Sequence, residues 1–194
     1  MNAMKQNQQQ PRRLRVVLPL LVLLSAAMIS ACTPSAQRRT FGTVIDDQAA
    51  EVGIVDTLYS RPEFDQDDHI KAEAHNETLL LAGEVSSEEK KALAGQVASE
   101  LKSIKRVVNQ LDVMPAASTS SRMHNSYITS KINTKLTTSN PLEGFDAGRI
   151  KVLTAHRTVY LMGSVTRKEG DAVTEIARST GGVDKVVKVF DYTD

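Results

Sequence analysis

Thr78-Leu79-Leu80-Leu81-Ala82-Gly83-Glu84-Val85 returns eighty residues later as Thr158-Val159-Tyr160-Leu161-Met162-Gly163-Ser164-Val165. The flanks keep step. Ile70-Lys71 matches Ile150-Lys151, and Ser86-x-x-Glu89 matches Thr166-x-x-Glu169. After one deletion, Val97-Ala98 matches Ile176-Ala177 and Val107-Val108 matches Val186-Val187. Upstream, Ile54 and Leu58 match Ile132 and Leu136. A solenoid needs three or more stacked units, so two copies predict two small domains of one fold.

Each copy reads as α-β-β-α-β. Val52, Val55 and Tyr59, with Ile54 and Leu58, give an apolar helical stripe, as do Ile128, Ile132 and Leu136. Arg61-Pro62 and Asn140-Pro141 stop those helices, because proline lacks an amide and restrains the residue before it. Strands follow at 69–74 and 77–84, turning at His75-Asn76, and at 149–154 and 157–164, turning near Ala155-His156. Gly83 and Gly163 predict a bulge or a close backbone approach. Ser86-x-x-Glu89 and Thr166-x-x-Glu169 read as capping boxes that start second helices. Leu93, Val97 and Leu101 line the first of these; Ala172, Val173, Ile176 and Ala177 line the second. Gly181-Gly182 is expected to end the latter. Last strands fall near 106–113 and 185–192.

The expected class is α+β, with two helices on one face of a three-stranded mixed sheet in each copy. Side chains alternate along a strand, so Leu79, Leu81, Val159 and Leu161 point at the helices. Leu80, Ala82, Tyr160 and Met162 then lie on the opposite face. That face is too apolar to be wholly wet, and we expect the other copy or the linker to cover part of it.

The amino terminus carries a different signal. Lys5, Arg12, Arg13 and Arg15 precede an apolar run from Val16 to Ile29, and Ile29-Ser30-Ala31-Cys32 follows it. The run is too short to span a bilayer well and has the length of a secretory h-region. The segment resembles a bacterial lipoprotein signal peptide. That resemblance implies cleavage before Cys32, acyl groups on its thiol and amine, and, with Thr33 rather than Asp next, the outer membrane. Cys32 is the sole cysteine, so no intramolecular disulfide forms. The organisation is then a signal peptide over 1–31, a lipidated tether over 32–45, copy one over 46–115 and copy two over 116–194.

Charge separates the copies. After residues 1–31 are removed, 20 basic side chains face 23 acidic ones, which does not suggest a general nucleic-acid binder. Residues 46–115 hold 7 basic and 15 acidic side chains, whereas 116–194 hold 11 and 8. Anionic head groups repel the first copy and attract the second. Beside the core stripe of the helix beginning near Met123, Tyr127, Lys131 and Lys135 recur at i, i+4, i+8. Tyrosine suits a membrane interface. No acidic residue falls between Asp112 and Glu143 to cancel the lysines.

The α-β-β-α-β repeat, with a hydrophobic strand ending in Gly-x-Val and a later Val-Val strand, resembles the BON domain. Those residues are Leu79 to Val85 then Val107-Val108, and Val159 to Val165 then Val186-Val187. With its lipobox and tether, the chain resembles the dual-BON outer-membrane lipoproteins, specifically their lipid-binding branch associated with division and outer-membrane stress. Tyr127-Ile128-Thr129-Ser130-Lys131 belongs to the clearer, second copy. The resemblance implies a periplasmic-face lipoprotein that supports envelope integrity, without enzyme activity and without a cofactor beyond the acyl groups on Cys32. It also implies phospholipid contact through the first helix of copy two, at Tyr127, Lys131, Thr134, Lys135 and Thr138. The family's contact helix carries Trp where Tyr127 stands and a second apolar residue where Thr137 stands.

An enzyme reading finds little. His69, His75, His124 and His156 show no metal-ligand spacing, and there is no phosphate loop or nucleophile motif. His75 and His156 fall at turns, where exposure is the usual reason. Asp65, Asp67 and Asp68 lack the glycine and terminal Glu of a calcium loop and read as a solvated loop. The rival function is an adaptor whose acidic first copy docks an envelope protein.

Overall fold

The computed structural model describes residues 40–139 and 141–194. The leader, Cys32, most of the tether and Asn140 lie outside the described residues. Copy one runs α1 (Phe41–Tyr59), β1 (His69–His75), β2 (Thr78–Val85), α2 (Glu88–Ser99) and β3 (Arg106–Val113). Copy two runs α3 (Thr119–Ser139), a 3-10 turn (Ala147–Arg149), β4 (Lys151–Ala155), β5 (Thr158–Val165), α4 (Arg167–Arg178) and β6 (Lys185–Tyr192). Each sheet is mixed. The central strand, β2 or β5, pairs antiparallel with the strand before it and parallel with the strand after α2 or α4.

The alternation along the repeated octet sets the layers. Leu79 and Leu81 bury against Ile54, Leu58, Ala94 and Val97 in one core. Val159 and Leu161 bury against Ile128, Ile132, Val173 and Ala177 in the other. Leu80, Ala82, Tyr160 and Met162 form a third core with Ala155 and Val189, so the backs of the two sheets cover one another. Burying side chains of this size is worth about 1.5–3 kcal/mol each as an upper estimate. Burial also pushes the Tyr160 hydroxyl up to about 12, and the charge of Asp112 adds to the shift.

Reciprocal polar contacts frame this third core. Lys71 of β1 donates to the Thr154 carbonyl of copy two at 3.1 Å. Its counterpart Lys151 of β4 pairs with Glu73 of β1 at 2.6 Å and Glu51 of α1 at 2.9 Å. Desolvation pulls Lys151 down, and the two carboxylates more than offset it, leaving it raised. His75 Nε2 lies 3.2 Å from Ser164 Oγ. Glu84, at the position equivalent to Ser164, is fully buried. One oxygen meets His69 Nδ1 at 2.9 Å and the Ala117 amide at 3.2 Å. The other meets His156 Nε2 at 2.7 Å, an ion-pair contact rather than an aligned hydrogen bond. Burial drives the Glu84 carboxyl up, but these partners outweigh it and leave it below the ordinary value.

The hairpin turns fall one residue later than the sequence suggested. Asn76-Glu77 and His156-Arg157 all take positive φ, the signature of a type I′ turn. None is glycine, and each turn is braced from the first helix of its copy. Asp47 accepts from the amides of Asn76 and Glu77 at 2.8 and 3.0 Å. Asn125 accepts from the Arg157 amide at 3.1 Å. Gly83 and Gly163 are close approaches: a Cβ would stand 2.0 Å from the His69 carbonyl oxygen and 2.7 Å from that of Arg149.

Several expectations are corrected. α1 starts at Phe41, capped by Thr40, so residues 41–45 are helical rather than tether. Val52 and Tyr59 are exposed, while Ala50, Ile54 and Leu58 carry the buried stripe. The cap of α2 is Ser87, not Ser86, because Asp68 takes the Ser86 amide at 3.0 Å. The Thr166–Glu169 capping box is present, but α4 ends at a Ser179 cap before Gly181. His75 is buried at the interface of the copies rather than exposed. Asp68 is buried too. Desolvation raises its carboxyl, and Lys90 with the Asp65 and Ser86 amides turns the net shift downward.

Candidate phospholipid-binding site

Ile128, Ile132 and Leu136 pin α3 to the core of copy two, which turns the adjacent stripe to solvent. Tyr127 is 60% exposed. The Lys131 ammonium sits 5.4 Å from the centroid of its ring, a cation–π contact worth about 0.5–1 kcal/mol at an exposed position. The two side chains thus present an aromatic body with a cation held against it.

Lys131 and Lys135 also lean on the end of α4. Lys131 Nζ reaches the Gly181 carbonyl at 3.5 Å, and Lys135 Nζ the Ser179 carbonyl at 3.4 Å. Cations belong at a helix carboxyl end, where the dipole is negative. The contacts are long, and an ammonium has three donors, so each lysine keeps capacity for a phosphate oxygen. Among the described residues neither lysine pairs with a carboxylate.

Thr134 and Thr138 are exposed, and their hydroxyls donate back to the Ser130 and Thr134 carbonyls at 2.9 and 2.8 Å. That leaves their hydroxyl oxygens as acceptors. The structure therefore brings Tyr127, Lys131, Thr134, Lys135 and Thr138 onto the outward side of one helix. Met123, 69% exposed and one turn before Tyr127, extends the apolar end. Its i, i+4 relation to Tyr127 places it on the same face of the helix. Phe145 packs against the core of copy two.

Among the described residues no group of His, Cys, Asp and Glu could hold a metal ion. Among the same residues no helix is long and apolar enough to cross a membrane.

The two α-β-β-α-β units match the BON domain over residues 46–115 and 124–194, and the chain belongs to that family. It is 28% identical over 190 residues to the outer membrane lipoprotein DolP of Haemophilus influenzae, covering 94% of this chain and 97% of the relative. It is 27% identical over 154 residues to the 21 kDa hemolysin of Actinobacillus pleuropneumoniae, covering 79% of this chain and 78% of the relative. Among solved structures it aligns with CdsD, a structural protein of the type III secretion system of Chlamydia trachomatis. There the identity is 18% and the TM-score 0.28, and the alignment covers 74% of this chain and 62% of the other.

Proposed function

We propose that this BON-domain protein is an outer-membrane lipoprotein, held at the periplasmic face by acyl groups on Cys32, whose second copy binds anionic phospholipid through α3. Three signals support the anchor: the lipobox-like Ile29-Ser30-Ala31-Cys32, the basic leader before it, and the near full-length likeness to a relative named as an outer membrane lipoprotein. The observation that carries lipid recognition is the outward stripe of α3. There an exposed aromatic ring lies beside two lysines that no carboxylate cancels among the described residues. Such lysines contribute about 1 kcal/mol each at an anionic surface. Multiple acyl chains hold the protein stably, so the helix needs only to orient it and read head-group charge. The role we propose for it is support of envelope integrity.

The alternative is a non-enzymatic adaptor, favoured by the acidic excess of copy one, 15 acidic against 7 basic side chains over 46–115. Vesicle co-sedimentation of the mature chain carrying Cys32→Ser separates the two. Lipid recognition gives binding to anionic but not zwitterionic vesicles, lost in Tyr127→Ala and in Lys131→Glu/Lys135→Glu. Absence of binding by the parent chain favours the adaptor.

A further inference from the structure

α1 carries an apolar face that nothing in copy one covers. Phe41 is 82% exposed and Val52 60%, with Ile45 and Val44 exposed between them. At 100° per residue Phe41, Ile45 and Val52 fall on one side, opposite Ala50, Ile54 and Leu58. Two of the four acidic side chains of this stretch are engaged inward. Asp47 braces the β1–β2 turn, and Glu51 accepts from the Ala74 amide and pairs with Lys151. Asp46 sits off the stripe, and Asp56 bounds it at the carboxyl end.

We propose that this stripe lies in the head-group boundary of the bilayer that Cys32 enters, as a second contact independent of lipid charge. The inference rests on the acylation of Cys32 argued above. Nine residue steps separate Cys32 from Phe41. Even fully extended they reach about 30 Å, so the start of α1 cannot leave the neighbourhood of the membrane. Tethering of that length gives an effective concentration in the millimolar range, which favours contact of a short apolar face with the bilayer. The repeat points the same way. Ile45 of α1 is the counterpart of Met123 of α3, and both are exposed. Both helices also border the β1–β4 seam: Glu51 of α1 reaches Lys151 of β4, while Ser126 and Thr129 of α3 line a depression shared with Lys71 and Glu73 of β1.

The test places a spin label at Val52→Cys in the full acylated protein in liposomes, with Ser99→Cys on exposed α2 as the control. Acylation blocks Cys32, which leaves the introduced thiol as the sole labelling site. The Val52 label should be shielded from a water-soluble relaxant and open to oxygen, equally in zwitterionic and anionic vesicles and at high salt. The Ser99 label should show the reverse. A Val52 label as open to the aqueous relaxant as Ser99 overturns the inference and leaves the lipoprotein reading standing. Shielding that disappears on dilution into excess lipid identifies a second copy as the occupant and overturns it too. An unmodified Cys32 in the mass spectrum of the same sample removes the lipoprotein reading and this inference with it.

Discussion

The Glu84 carboxylate at the end of β2 lies 2.7 Å from Nε2 of His156, in the hairpin turn of the other copy. A buried carboxylate is costly unless it is paired. Here His69, from the antiparallel partner strand, and the Ala117 amide, from the linker, complete the set. The contact therefore ties sheet one, the linker and hairpin two to a single charge.

Glu84→Gln removes that charge and leaves both histidines facing a neutral amide. Leaving buried polar partners of this carboxylate, the Ala117 amide among them, without their acceptor costs about 1–3 kcal/mol. Urea unfolding should show a drop of that order, and a change within a few tenths would contradict the role given to Glu84.

The same residue sets an acid limit. Its folded carboxyl is held below the ordinary value of 4.5. A depressed carboxylate stabilises the fold fully above its unfolded value and loses that contribution as pH falls through the folded one. Asp68 is lowered as well and adds to the slope. Stability should be flat in this term near neutrality and fall below about pH 4.5, with a shallower fall in Glu84→Gln. Equal acid slopes in the two proteins would refute it.

Met162→Ala opens the core between the sheets rather than either domain's own core. Truncating a buried Met costs about 2–5 kcal/mol. Because Leu80 and Tyr160 share that core, both copies should lose stability together, and isotope-labelled exchange should speed up in β2 as well as β5. Faster exchange confined to β5 would show that the copies are energetically separate.

Gly83→Ala forces a methyl against the His69 carbonyl at a φ of 122°. The backbone must shift, and a loss of about 2 kcal/mol or more follows. Gly163→Ala should cost less, since its contact is longer at 2.7 Å. Thermal melts rank the two, and the reverse order would contradict the geometry.

Sequence carried the layers because they are local. The alternation of Leu79 to Ala82 and Val159 to Met162 sorts each side chain to one sheet face, whatever lies beyond. It even announced the shared core, since a back face of Leu80, Ala82, Tyr160 and Met162 must be covered. The misreadings arose where the partner is distant. Asp68 sits in a loop of aspartates and is bound by Lys90 across the domain. His75 and His156 occupy turns, which are usually wet, but these turns meet the other copy. Ser86-x-x-Glu89 has the capping spacing, but Asp68, distant in sequence, takes the Ser86 amide and the cap falls to Ser87. On α3 the spacing gave Tyr127, Lys131 and Lys135. The lean of both lysines onto the end of α4 depends on tertiary contact and left no trace in the pattern.

Lipid recognition by α3 is tested most directly by NMR of the Cys32→Ser mature chain titrated with anionic bicelles. The account requires line broadening at Met123, Tyr127, Lys131 and Lys135 that weakens with salt. Broadening centred on the acidic surface of copy one, with α3 unchanged, would contradict it.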